Sequence, residues 1–215
     1  MKRIGRTSVL ASWLLALAPA VGCSTEGHVR ADDTATRMTS LREALLGTKR
    51  QTSVAIGSLD GVIQGHGGDA KLGYERYARD VAITEDSVKA IDKRYDAVRS
   101  EAKKYFEMWE KQLGDIGSEE IRKRSEERRA AQVQQIEKID RAMVDAREAL
   151  TPFMNRLRDT RIYLATDLSS AGLQSLRPVF DQLSKENGAI DRKLDTVVAA
   201  VDEVAPGFRA EAPQE

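Results

Sequence analysis

Cys23 is the chain's one cysteine, and the residues ahead of it suggest a use for its thiol. A basic start (Lys2, Arg3, Arg6) precedes an apolar run from Val9 to Leu17 broken only by Ser12. The small residues Ala18, Pro19, Ala20, Val21 and Gly22 then lead into Cys23. Basic, apolar and small residues in that order make a secretory signal. The apolar stretch is too short for a membrane-spanning helix, which needs roughly 20 residues. Ala20-Val21-Gly22-Cys23 matches the site where a lipoprotein signal is cut and the cysteine acylated, with Ala where Leu is commoner. Ala18-Pro19-Ala20 is also a small-x-small site for ordinary secretory cleavage, which would release a soluble protein. A lone cysteine outside the cytoplasm has no internal disulfide partner, whereas acylation by palmitate-type chains consumes the thiol. Each buried methylene contributes about 0.8 kcal/mol, so two or three chains hold stably. Ser24, and not Asp, follows the cysteine; by likeness to proteobacterial lipoproteins this points to the outer membrane, facing the periplasm.

No second constellation of chemistry is present. The two histidines are His28, near the signal, and His66, in Gly65-His66-Gly67-Gly68. A metal site needs several converging ligands, and a Ser-His-Asp triad needs a histidine held in place. The glycines around His66 lack the Gly-Lys-Ser/Thr of a phosphate loop. The acidic residues follow helix-surface spacing and pair with Lys or Arg at i+4. Catalytic, cofactor and metal residues are therefore expected to be none, and an enzyme is not expected. The 34 basic and 34 acidic residues balance, and removal of residues 1–22 leaves a slight acidic excess. That excludes a strongly basic nucleic-acid binder. Aromatics at 5% with charged residues at 32% favour long helices over a thick globular core.

The elements follow from three-four stepping of apolar residues, the rhythm of a helix seam. Residues 1–22 read as the signal and 23–36 as a flexible tether. A first helix, about 36–64, carries Met38, Leu41, Leu45, Thr48, Thr52, Ala55, Leu59 and Val62; Gly47, Gly57 and Gly61 weaken it by up to about 1 kcal/mol each against Ala, or instead mark close helix approach. Asp69 caps a second helix, about 69–113 and roughly 65–70 Å long. Its seam runs Tyr74, Tyr77, Val81, Thr84, Val88, Ile91, Tyr95, Val98, Ala102, Tyr105, Trp109. Gly114 to Gly117 break it, and Ser118 caps a third helix, about 118–168, that Pro152 should kink. The fourth seam runs from Leu173 through Leu176, Phe180, Leu183, Asn187, Ile190, Leu194, Val197 and Val201 to Val204, and Pro206 ends it.

Short loops make sequential helices antiparallel. The expected fold is all-α, an elongated antiparallel four-helix bundle over residues 37–206. It should have a projecting two-helix coiled-coil hairpin, the arm covering about 102–133, and residues 207–215 as a disordered tail. The bundle would sit nearer the membrane and the arm farther out. Tyr105, Phe106, Met108 and Trp109 would fill the arm's seam against Ile121 and its neighbours. The functional alternative is that Phe106 or Met108, off the seam, form a partner patch, which makes Phe106, Met108 and Trp109 the candidate partner-binding residues.

Tyr105-Phe106-Glu107-Met108-Trp109-Glu110, with Leu113, Ile116, Ile121-Arg122 and Ser125, resembles a signature of a family of uncharacterised bacterial coiled-coil envelope proteins. That family is a domain of unknown function with an F-x-x-W-E stretch. Met143, Ala146, Pro152, Arg158-Asp159, Tyr163-Leu164 and residues 168–176 resemble its second stretch. Where this chain has Ala165-Thr166-Asp167, the family more often has Lys-His-Asn. The resemblance spans about 41–208 and implies a helical envelope protein, with no activity attached. Together these readings lead us to expect a membrane-anchored bacterial lipoprotein, held by lipid on Cys23, that presents a helical hairpin to an unknown envelope protein. A periplasmic holdase or an oligomerising membrane scaffold, with homo-oligomers, is the alternative.

Overall fold

The computed structural model describes residues 24–65 and 68–209. Residues 1–22, Cys23 and His66 fall outside them. Among the described residues there are five α-helices, one short 3-10 segment and no strand: the protein is all-α and forms a helical bundle.

Helix α1 spans Ser24–Ile63, so the tether expected over 23–36 is helix from Ser24 onward. The reason lies in small residues. Ala31, Thr34 and Ala35 are buried and carry the Met38 stripe backwards in steps of three and four. Thr34 is admitted because its hydroxyl donates to the Arg30 carbonyl at 2.8 Å, leaving no unsatisfied polar group. All eight residues predicted for this seam, Met38 to Val62, are buried. The glycines are not where helices approach. A Cβ on Gly57 or Gly61 would meet nothing within 4 Å, whereas one on Gly73 would meet Val62 Cγ2 at 3.3 Å.

Helix α2 (Ala70–Leu113) is capped by the Asp69 side chain, which accepts from the Lys71 N–H. It lies antiparallel to α1: Arg30 pairs with Glu101, Arg94 donates to Ser40, and Val62 rests on Gly73. Helix α3 (Glu119–Thr166) runs through Pro152 as one element. Pro152 stands on the exposed face, so the carbonyl it leaves without an N–H partner faces water. Tyr77, fully buried, donates to the Leu157 carbonyl at 2.9 Å, and Tyr95 to Asp140 at 2.6 Å. Both bonds tie α2 to α3.

The expected fourth helix is divided into α4 (Ser170–Ser175) and α5 (Arg177–Val204). Pro178 has no N–H for the helix ladder, and the chain restarts there. Helix α5 packs antiparallel on α3, with Lys138 to Glu203 and Arg156 to Glu186. It also packs antiparallel on α1, with Arg42 to Asp202 and Asn187 to Ser53. The 3-10 segment Ala205–Phe208 follows; Phe208 is buried, so order extends past the expected tail boundary at 207. The cross-helix ion pairs are largely exposed and contribute about 0–1 kcal/mol each, against about 1.5–3 kcal/mol for each fully buried Leu, Ile or Phe. The seam holds the bundle and the charges select its register.

At the α3–α4 corner the Asp167 carboxylate accepts from the Ser169 N–H at 2.9 Å. Hydrogen bonding to Ser169, side chain first and backbone second, holds its carboxyl below the usual range. A Cβ on Gly172 would lie 2.5 Å from that carboxylate. Gly172→Ala should therefore cost about 1–3 kcal/mol through overpacking, while Gly57→Ala should gain about 0.5–1 kcal/mol from helix propensity. Urea unfolding of the two variants checks both signs.

Burial pushes the Tyr77 hydroxyl well up. Burial first, and the Asp140 bond second, do the same for Tyr95. The folded state keeps these protons while unfolded tyrosines lose theirs near pH about 10. Their contribution is fully present below that pH and is lost as pH rises beyond it. The urea midpoint should fall between pH 8 and about 10.5, with a shallower fall in Tyr77→Phe.

Candidate functional site

The two-helix arm expected over 102–133 is not bare. Ala102 and Phe106 are buried, and Gln132 donates to the Gly207 carbonyl at 2.8 Å. A Cβ on Gly27 would lie 3.5 Å from Met108 Cε. The start of α1 thus covers one side of the hairpin and residues 205–208 another. Uncovered helix pairing is confined to the last turns around 110–128.

Of the three candidate partner residues, Phe106 is withdrawn from the surface. It is 9% exposed, with its ring centroid 5.3 Å from Tyr105 and 6.1 Å from Phe208. Phe208 also stacks 5.5 Å from Tyr105. Such tilted and edge-on contacts suit the aromatic quadrupole. Met108 and Trp109 remain half-buried. Trp109 lies 5.4 Å from Tyr105, and its Nε1–H donates to Ser125 Oγ at 2.8 Å. Ile121, the expected seam partner, is instead 59% exposed; Ser125 takes its place across from the indole.

Met108 and Trp109 line a groove of about 440 Å³, together with Tyr105 and Gln112 of α2 and Gly27, His28 and Ala31 of α1. Burial raises the Tyr105 hydroxyl. The Phe106 carbonyl accepts from Arg129, which also pairs with Glu110 at 2.9 Å. The groove's lining combines a thioether, an indole and a methyl group with one phenol, one histidine and one amide. Among the described residues no group of three His, Cys, Asp or Glu side chains is placed to hold a metal, and no helix is long and apolar enough to cross a membrane.

The α1 side of this groove was missed because Gly27 and Ala31 are small. The signal was available: stepping back from Met38 through Ala35 and Ala31 reaches Gly27 in intervals of three and four. Cys23 itself lies outside the described residues, one position before Ser24, where α1 begins.

The chain belongs to a family described as a protein of unknown function (DUF2959), whose model matches residues 23–206. No curated protein and no solved structure matches it.

Phe208 closes the aromatic cluster from the far end of the chain. Phe208→Ala should cost about 3–5 kcal/mol; Met108→Ala, at the groove's open side, should cost well under half of that. Thermal and urea unfolding of both variants tests the difference.

Proposed function

We propose that this protein is a lipid-anchored bacterial envelope protein. In this reading it is fixed through acyl chains on Cys23, faces the periplasm from the outer membrane, and has a structural or interaction role toward another envelope protein. Its body would be an antiparallel bundle of α1, α2, α3 and α5 with a short α2–α3 overhang. The observation that carries the reading is a junction: a signal-like segment ends at the chain's one cysteine, and the first described residue after it, Ser24, already belongs to a helix that is packed from Ala31 onward. The region shared with the family also begins at residue 23, leaving residues 1–22 outside it.

Several features favour a rigid spacer over catalysis or client holding. The apolar stripes of the long helices are spent on one another, from Ala35 to Phe208. A holdase needs an open apolar face, and these faces are occupied. Many charged side chains bridge helices, such as Arg147 to Asp92 at 2.7 Å and Arg158 to Glu85 at 2.8 Å. Pairs of that kind lock one helix against the next and leave little for proton transfer.

The test is Cys23→Ser, expressed with the full signal. The wild type should take up labelled palmitate and sediment with membranes. The variant should lose the label and leave the membrane fraction while keeping its helical circular dichroism. A labelled Cys23→Ser chain, or a wild type without label, would refute the anchor.

A further inference from the structure

The hairpin turn at 114–117 is expected from the sequence to point away from the membrane; the position of α1 supports the opposite orientation. Gly27 sits against Met108 Cε, and a Cβ there would be 3.8 Å from Gln112 Oε1. The helices are antiparallel, so three residues back along α1 match three residues forward along α2, each about 4.5 Å. Ser24 is thereby level with the turn that follows Leu113. Because α1 is helical from Ser24, no slack separates the fold from Cys23. One residue reaches at most about 3.6 Å, whereas the tether expected over 23–36 would have spanned about 20 Å on average. On the lipid-anchor reading, an acyl group on Cys23 would enter the bilayer beside the 114–117 turn. The opposite end, with Gly65 and Gly68, stands off by the length of α2, about 66 Å.

Building on the lipid-anchor reading, we propose that the 114–117 end of the bundle rests on the phospholipid surface, with Trp109, Met108 and Ile121 in the headgroup layer. Three observations fit that occupant. The described chain begins at Ser24, three residues before Gly27 in the groove wall. Trp109 is half-buried at this end, and its indole N–H is bonded to Ser125, so its exposed part carries no unpaired donor into an apolar layer. Ile121 is exposed beside Arg122, Lys123 and Arg124, whose long stems let charge stay in water while their methylenes lie lower. Acidic and basic residues are equal in number between 101 and 129, so the contact follows from the anchor and needs no anionic lipid. The end free to meet another envelope protein is then the one that carries the 65–68 turn and the Asp167 corner.

Trp109 is the only tryptophan outside residues 1–22, and it reports directly. The acylated protein, purified from membranes, is reconstituted in phosphatidylethanolamine–phosphatidylglycerol vesicles with or without chains brominated near the headgroup. Flotation reads anchoring and indole emission reads orientation. We expect flotation with loss of Trp109 emission in the vesicles that carry the brominated chains, as for a ring at headgroup depth. We expect no loss from a W109F/L72W variant, whose probe replaces a 59% exposed residue at the other end. Flotation with unquenched Trp109, or with quenching of the L72W probe instead, overturns the orientation and leaves the anchor standing. Failure of the wild type to float overturns both.

Discussion

The structure depends on one constraint: an apolar stripe that advances by three and four residues buries itself only along its whole length. Helix α1 cannot leave α2 part way without exposing side chains that are fully buried, Met38, Leu41, Leu45 and Leu59 among them. At about 0.8 kcal/mol per buried methylene, a few turns of separation would exceed the net stability of an ordinary domain, about 5–15 kcal/mol. The same arithmetic explains why α1 stays helical back to Ser24. Ala31 and Ala35 bury little area each, but they adjoin a seam already formed, so extending the helix adds contact without a new nucleus.

Several hydroxyls within the seam are accommodated by local bonding, although that of Thr48 is buried without a partner. Thr34, Thr84 and Thr160 return their hydroxyls to carbonyls four residues earlier, at 2.7 to 2.8 Å, and so pass as near-apolar side chains. Tyr77 and Tyr95 place their rings in the core and donate outward to α3. Arg147 stacks over the Tyr95 ring at 4.7 Å while pairing with Asp92. These contacts fix which residue meets which across α2 and α3, information that an apolar stripe alone does not carry.

The two ends of the bundle are built differently. At one end the chain's first helix, its hairpin turn and its closing Phe208 converge, joining residues far apart in sequence around Tyr105 and Phe106. The other end is two short turns, one with glycines at positive φ, Gly65 and Gly68, and one braced by Asp167, Ser169 and Gly172. This asymmetry gives the molecule a direction, and a lipid at Cys23 would turn that direction into an orientation on a membrane.

Periodicity alone determined the helix-only architecture, the α1 and α2 seams, the caps at Asp69 and Ser118 and the turn at 114–117, because each is a local preference repeated over many residues. The break at Pro178 was equally local and lay open in the proline itself. What only tertiary structure decided is which helix covers which. The burial of Phe106 depends on Phe208, a hundred residues later, and the groove at Met108 and Trp109 depends on small residues near position 27. Alanine and glycine can continue a stripe, as Ala35, Ala31 and Gly27 do from Met38, but they are too small to announce it, and they join a core only when a neighbouring helix is there to cover them.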